Sequence, residues 1–150
     1  MPDQPQLLLA TNNNGKVAEF RQLLDGCGWQ LATPRDVGVQ LDVAETGQTY
    51  LENATIKALA FARTSGLTSL ADDSGLEIDA LDGRPGILSA RYAGVDLTDG
   101  ERVAALLEEL AGVSEEARTA RFRCVIVIAT AEGETRSVEG TLEGRIAVEP

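Results

Sequence analysis

The chain has 150 residues, of which 43% are hydrophobic and 25% are charged, and this balance predicts one soluble globular domain with a core of its own. Its formal net charge of −11 opposes binding to a nucleic-acid polymer, because no basic stripe is present to replace the counterions of the phosphates. The absence of histidine excludes a Ser-His-Asp triad and histidine bases, which leaves carboxylates, lysines, hydroxyl groups and metal-bound water for any chemistry.

The cysteines and the apolar runs indicate a cytoplasmic protein. Cys27 and Cys124 are far apart and lack C-x-x-C spacing, which predicts buried free thiols rather than a zinc site or a disulfide. The apolar runs are too short to span a bilayer, and the first residues lack the basic region and the apolar core of a signal peptide. We therefore expect a cytoplasmic location and no membrane partner.

The first apolar run, residues 7–10, predicts a buried strand that is followed by a polar loop, residues 11–16, and by a helix with its apolar face at Val17. The backbone N–H groups at the start of a helix form an anion site, and Lys16 adds a cation where the helix dipole alone would disfavour one. The loop is not a Walker A motif, because Ala10 replaces its first glycine. Two interpretations stay open, a phosphate-binding loop and an asparagine-rich N-cap.

Residues 29–32 predict a second strand, and the helix that follows is delimited more clearly. Thr49 and Glu52 have the spacing of a capping box, and Gly66 is suited to end the helix after about Ser65. Helical periodicity predicts an apolar face made of Leu51, Ala54, Thr55, Ala58, Leu59 and Ala62.

Two polar residues of this helix, Asn53 and Lys57, fall on the opposite face by the same periodicity. They are one turn apart, so that both could reach a common ligand. A lysine on the polar face of a helix is more often simply solvated. The pattern of this helix therefore leaves a binding role for Lys57 open.

The segment 69–79 predicts a short strand, an acidic tip at Asp72 and Asp73, and a second strand. Because side chains alternate in an extended chain, we expect these two aspartates to point to opposite sides. One metal ion would then be held by one of them, by a carboxylate from elsewhere in the chain, and by phosphate or water. An acidic hairpin turn is the plainer interpretation.

The rest of the chain predicts a glycine-rich ordered loop at 81–94 and a helix capped by Thr98 or Asp99. A long strand at 120–130 and its hairpin partner at 134–143 follow. No internal repeat or linker divides the sequence, so we expect residues 1–150 to form a single domain.

Five segments in this order closely resemble the family of noncanonical purine nucleoside triphosphate pyrophosphatases, which act on inosine and xanthosine triphosphates. They are TNNNGK at 11–16, ETG at 45–47, LENATIKA at 51–58, ADDSGL at 71–76 and PGILSARYAG at 85–94. The segments at 120–125 and 144–146 also look like this family.

The resemblance implies an α/β fold with a mixed, elongated β-sheet flanked by helices and with two lobes around a cleft. It implies hydrolysis of dITP, ITP or XTP to the monophosphate and pyrophosphate, with Mg²⁺ as the cofactor and a homodimer as the assembly. By position, Asp73 matches the catalytic proton acceptor and metal ligand, and Glu45 matches the second metal carboxylate. Matches to substrate-binding residues fall at Thr11, Asn12, Asn13, Asn14, Gly15, Lys16, Lys57 and Ser74.

The chain departs from the family at its C-terminal end, where Gly-Phe-Gly-Tyr-Asp-Pro and Ser-His-Arg segments that contact the base are absent. We therefore expect a truncated chain or a shortened variant. This departure motivates one alternative function, a nucleoside triphosphate-binding protein without turnover. A second alternative is the related dTTP or UTP pyrophosphatase of the septum-inhibitor family, which shares an Asn-and-Lys loop after its first strand.

Overall fold

A computed structural model describes residues 3–150 as a five-stranded sheet with three α-helices. The strands are β1 (Gln6–Leu9), β2 (Gln30–Ala32), β3 (Thr68–Ile78), β4 (Thr119–Ala129) and β5 (Thr135–Arg145). The helices are α1 (Asn14–Leu23), α2 (Tyr50–Ser65) and α3 (Asp99–Glu109). Short 3₁₀ turns lie at Asp79–Leu81, Gly86–Arg91 and Glu115–Ala117.

The strand order in the sheet is β2-β1-β3-β4-β5. β1 pairs in parallel with both of its neighbours, and Leu8 lies opposite Ala32 on one side and Ser69 on the other. The parallel pairs are joined through α1 and α2, as parallel strands require a crossover. The short turn between β4 and β5, in which the Thr130 N–H donates to the Glu134 carbonyl at 2.9 Å, suits an antiparallel pair. The predicted mixed α/β fold is thus confirmed.

The described residues form two compact units. Unit 1 contains the chain up to Asp73 together with Val125–Val138, and unit 2 contains Ser74–Cys124 together with Glu139–Pro150. The core of unit 1 joins the first strands to one side of α1 and consists of Leu7, Leu9, Phe20 and Leu70. The core of unit 2 consists of Ile78, Leu81, Leu106, Leu110 and Ala120.

Unit 2 also contains a buried arginine that ties its C-terminal residues to α3. The Arg118 guanidinium donates to the carbonyl groups of Leu110 at 3.0 Å, Val113 at 3.1 Å and Ala147 at 3.3 Å. The Ile146 N–H in turn donates to the Arg118 carbonyl at 2.9 Å. The guanidinium thus joins the residues at and just after the end of α3 to the C-terminal residues of unit 2.

The predicted acidic hairpin is wrong, because β3 continues without a break through Asp72, Asp73, Ser74 and Gly75. Turn preferences of Asp, Ser and Gly are weak for residues that belong to a long strand of a sheet, since the sheet context decides the conformation. β3 has β1 on one side and β4 on the other.

Two further expectations need comment. Cys27 is exposed and Cys124 partly buried, and the two are not joined by a disulfide, so the prediction of buried thiols fails for Cys27. The reason is that Cys27 follows the end of α1 in a glycine-flanked turn outside the core. None of the helices in the described part of the chain combines the length and the hydropathy needed to cross a lipid bilayer.

Candidate active site

The polar loop after β1 builds its own helix cap. The Thr11 hydroxyl accepts the Asn13 N–H at 3.1 Å, and the Asn13 Oδ1 accepts the N–H groups of Gly15 at 2.9 Å and Lys16 at 3.2 Å. Asn14, Gly15 and Lys16, expected in the loop, form the first turn of α1. The N-cap interpretation therefore describes the geometry, and an anion could use these amides only by sharing or displacing Asn13.

Lys16 lies against the acidic segment of β3. Its Nζ is 2.8 Å from Oδ2 of Asp72, whose side chain is almost fully buried. A cation in the first turn of a helix opposes the helix dipole, and a buried carboxylate beside it offsets that cost. Sequence reasoning missed Asp72 as the partner, although its position next to Asp73 was the available signal.

Lys57 joins the Glu45 loop to β3. Its Nζ is 2.7 Å from Oε1 of Glu45 and donates to the Asp72 carbonyl at 3.0 Å. The side chain of Lys57 is only 16% exposed, so the interpretation of a merely solvated lysine is wrong. Its ammonium group thus connects two segments that are remote in sequence.

Asp73 is buried, with 7% of its surface exposed, and its Oδ2 accepts no hydrogen bond of good geometry from the described residues. Burial, and next the negative charge of Glu45, raise the pKa of this carboxyl above its ordinary value. The Asn53 amide and the cations of Lys57 and Lys16 act in the opposite direction, but they do not cancel the rise. Glu45 is therefore within electrostatic reach of Asp73.

The loop that carries Glu45 is attached to the start of α2. The Gly47 N–H donates to Oδ1 of Asn53 at 2.7 Å, and the Gln48 N–H donates to Oε2 of Glu52 at 2.6 Å. A Cβ atom on Gly47 would lie 2.6 Å from the Cβ of Glu52 and 2.7 Å from Oδ1 of Asn53, so this approach requires glycine.

The start of α2 differs in one detail from the expected capping box. The Thr49 hydroxyl accepts the Glu52 N–H at 3.1 Å as predicted, but the Glu52 carboxylate bonds to Gln48 instead of returning to Thr49. The side chain of Glu52 thereby holds the Glu45 loop as well as the helix start.

Asn53 is fully buried, which contradicts its expected place on the polar face of α2. The buried residues of the helix are Tyr50, Asn53, Ala54, Ala58, Phe61 and Ala62. This spacing is itself helical, but the expected face was centred on Leu51, which is 48% exposed. Including Tyr50 and Phe61 in the apolar stripe would have placed Asn53 inside.

Glu45 and Lys57 also line a small cavity of about 150 Å³, together with Thr11 and Asn12. The Nδ2 of Asn12 is 3.5 Å from the Leu41 carbonyl on its rim. The structure thus brings together, within unit 1, the start of α1, the Glu45 loop, α2 and the first half of β3.

Comparison with known proteins assigns the chain to a family. Residues 7–150 match the model of the Ham1 family. The chain belongs to the Ham1 family. This result confirms the resemblance drawn from the sequence motifs, and the residues around the cavity all lie within the matched range.

Curated relatives and solved structures agree with this assignment. The chain is 46% identical over 145 residues to the dITP/XTP pyrophosphatase of Bacillus licheniformis, which covers 97% of this chain and 74% of the relative. It is 50% identical over 143 residues to the enzyme of the same name from Halalkalibacterium halodurans, with 95% and 74% covered. The structure of a HAM1 protein from Coxiella burnetii superposes with a TM-score of 0.88 at 40% identity, covering 97% of this chain and 75% of that chain.

Two further points concern the candidate residues in this Ham1 chain. Ser74 follows Asp73 in β3, belongs to unit 2 and is exposed. Within residues 3–150, no group of three or more histidine, cysteine or acidic side chains is arranged to hold a metal ion. Side chains could therefore offer a metal two carboxylates, Glu45 and Asp73, and the other ligands would have to come from a substrate or from water.

Proposed function

We propose that this chain hydrolyses noncanonical purine nucleoside triphosphates, namely dITP, XTP and ITP, to the monophosphate and pyrophosphate. The observation that carries the proposal is the buried Asp73 carboxylate, which lies within electrostatic reach of Glu45, Lys16 and Lys57. One of its oxygens has no hydrogen bond of good geometry in the part of the chain that the structure describes. The substrate class is supported by the names of the relatives, which are dITP/XTP pyrophosphatases.

Glu45 and Asp73 would hold a Mg²⁺ ion. The donor set fits, because Mg²⁺ uses one or two carboxylates and completes its shell with phosphate and water. The buried Oδ2 of Asp73, which has no hydrogen bond of good geometry among the described residues, is a suitable ligand. When bound, Mg²⁺ supplies positive charge that neutralises the triphosphate oxygens. The lysine paired with Glu45 would then be available to a phosphate group.

Lys16 and Lys57 would bind the phosphates. Both ammonium groups lie in this cluster, where they are now paired with the carboxylates of Asp72 and Glu45. A triphosphate offers them stronger acceptors, and fixed cations stabilise the negative charge that develops as the bond between the α- and β-phosphates breaks. Thr11 and Asn12 on the cavity wall, with Asn13, Asn14 and Gly15 beside them, would position the phosphate chain.

Asp73 would accept a proton from the attacking water. In the metal-free chain, burial and Glu45 raise the pKa of Asp73, and a higher pKa makes a carboxylate a stronger proton acceptor. Ser74, the next residue in β3, would contact the substrate.

We further propose that residues 1–150 unfold as one domain and that the chain acts as a cytoplasmic homodimer. β3 and β4 each run through both units, which supports a single cooperative transition. Light scattering coupled to gel filtration measures the assembly, and calorimetry measures the number of transitions.

A substrate panel tests the proposed reaction. Pyrophosphate release should be measured with dITP, XTP, ITP, dGTP, dATP, dTTP and UTP, with Mg²⁺ and with excess chelator. We expect release from dITP, XTP and ITP that depends on Mg²⁺. Turnover restricted to dTTP or UTP would instead assign a pyrimidine pyrophosphatase, and calorimetric binding of ITP without product would assign a binding protein.

A further inference from the structure

Asn53 contacts the loop that carries Glu45 and also interacts with the Asp73 carboxylate. Its side chain is fully buried in the first turns of α2, and its Oδ1 accepts the Gly47 N–H at 2.7 Å. Glu45 is two residues before Gly47 in the same loop. One end of the Asn53 amide therefore anchors the loop that carries Glu45.

The other end of the amide faces the second carboxylate. Because the Gly47 N–H is a donor, it fixes Oδ1 as the atom facing the loop, and Nδ2 takes the other position. Nδ2 of Asn53 and Oδ2 of Asp73 are both buried and have no hydrogen bond of good geometry with any residue in 3–150, and the Asn53 side chain interacts favourably with the Asp73 carboxylate. A small movement would pair this donor with this acceptor.

We propose that Asn53 is a positioning residue that ties the Glu45 loop to Asp73 and so sets the spacing of the two carboxylates for one divalent cation. This inference rests on the proposed metal site. An amide suits the task because it accepts from one side and donates to the other, and because a helix is a rigid support for it. The lack of a side chain on Gly47 allows the loop to approach it closely.

Metal binding without nucleotide tests the inference, since it does not depend on turnover. Mn²⁺ serves as the probe, and its dissociation constant is measured by electron paramagnetic resonance for the wild type, Asn53→Ala, Gly47→Ala and Thr49→Ala. We expect Asn53→Ala to weaken Mn²⁺ binding by about 10-fold or more, which is the usual effect of losing a residue that orients a metal ligand. Gly47→Ala, which displaces the loop but keeps the amide, should weaken it as well.

Thr49→Ala is the matched control, because it removes the helix cap at the same turn without touching Asp73 or the Gly47 contact. It should lower the melting temperature and leave the Mn²⁺ dissociation constant unchanged. If Asn53→Ala does not fold, Gly47→Ala still decides the question. An equal loss of affinity in Thr49→Ala, or unchanged affinity in both other variants, overturns the inference.

A double-mutant cycle separates positioning from general structural damage. If Asn53 acts through Glu45, the effect of Asn53→Ala on Mn²⁺ binding should largely disappear in a Glu45→Gln background, whereas independent damage would add. Additive losses would overturn the positioning role. A wild type that binds Mn²⁺ as described but releases no pyrophosphate would refute the proposed function and leave the role of Asn53 supported.

Discussion

Two charged regions of the molecule shift the pKa of an aspartate in opposite directions. In unit 1, Asp73 is buried, and its pKa is raised by burial and by Glu45. In unit 2, Asp79 is exposed to solvent on one side and accepts the Thr119 hydroxyl at 2.6 Å and the Arg121 guanidinium at 3.1 Å. These bonds, from Thr119 first and then Arg121, lower the pKa of Asp79.

The second region is an arginine ladder, which consists of Arg121, Arg123 and the four carboxylates of Glu77, Asp79, Glu139 and Glu143. Arg121 bonds to Glu143 at 2.9 Å, and Arg123 bonds to Glu77 at 2.8 Å and forms an ion pair with Glu139. Each of the four carboxylates there is paired with an arginine. The ladder is thus a structural surface.

The opposite pKa shifts of Asp73 and Asp79 distinguish a candidate catalytic carboxylate from a structural one. A buried carboxylate beside another acid does not stabilise the fold when it is ionised. Such pairs are typical of catalytic sites. The charges of the ladder are paired with one another, and within residues 3–150 none of its side-chain atoms is both buried and without a hydrogen-bond partner. Matched substitutions of Asp73 and Asp79, and of Lys57 and Arg123, test this distinction.

The largest expected effect is on turnover. Asp73→Asn should lower the rate of pyrophosphate release from dITP by about 10²–10⁴-fold, because it removes the proposed base. The same substitution in the ladder, Asp79→Asn, should leave the rate within a factor of two or so of the wild type, since exposed charges away from a site usually have small effects. Steady-state kinetics with saturating Mg²⁺ measures both. Equal losses in the two variants would show that the contrast between the regions has no catalytic meaning.

A smaller effect is expected from the cations. Lys57→Met should lower kcat by about 10²-fold, which is typical for loss of one group that stabilises developing charge. Arg123→Met is its control, because it also removes a cation that is paired with carboxylates. A change confined to KM for Lys57→Met would assign this lysine to binding that is equally strong in the ground state and in the transition state.

Much of the fold could be predicted from the sequence because its signals are local. The cap at Thr49, the glycine after Ser65 and the apolar run at 124–129 depend on neighbours in the chain, and the structure has α2 at Tyr50–Ser65 and β4 at Thr119–Ala129. The turn expected at residues 72–75 is wrong for the opposite reason. Its turn-forming residues belong to a strand whose pairing partners are remote in sequence.

Some residues of the site could be predicted from sequence motifs, and others depend on tertiary contacts. Lys16, Glu45, Lys57 and Asp73 could be named because the family motifs contain them, and the structure brings them together. Asn53 was placed on the wrong face, and its contact with Gly47 spans a loop and a helix start that no periodicity relates. Hydrogen bonds of this kind depend on tertiary packing, which sequence patterns of one chain do not specify.

The smallest predicted effect is on stability and reverses sign between the two aspartates. The folded-state pKa of Asp73 lies above its unfolded value, so its ionisation opposes folding once the pH rises through that pKa, whereas the protonated form avoids the cost of burying a charge. Asp73→Asn in metal-free buffer should therefore raise the melting temperature near pH 7.5 by about 2–4 °C, the shift that about 1 kcal/mol gives in a domain of this size. The gain should vanish near pH 4.

For Asp79 the sign is opposite, because its folded-state pKa lies below the unfolded value and its bonds to Thr119 and Arg121 stabilise the fold at neutral pH. Asp79→Asn should lower the melting temperature near pH 7.5, and this loss should shrink as the pH falls through the carboxyl range. Scanning calorimetry from pH 4 to pH 8 measures both variants against the wild type. Asp73→Asn that is less stable at pH 7.5 would mean that the ionised carboxylate is satisfied in the fold, and the electrostatic contrast between the two regions would then be lost.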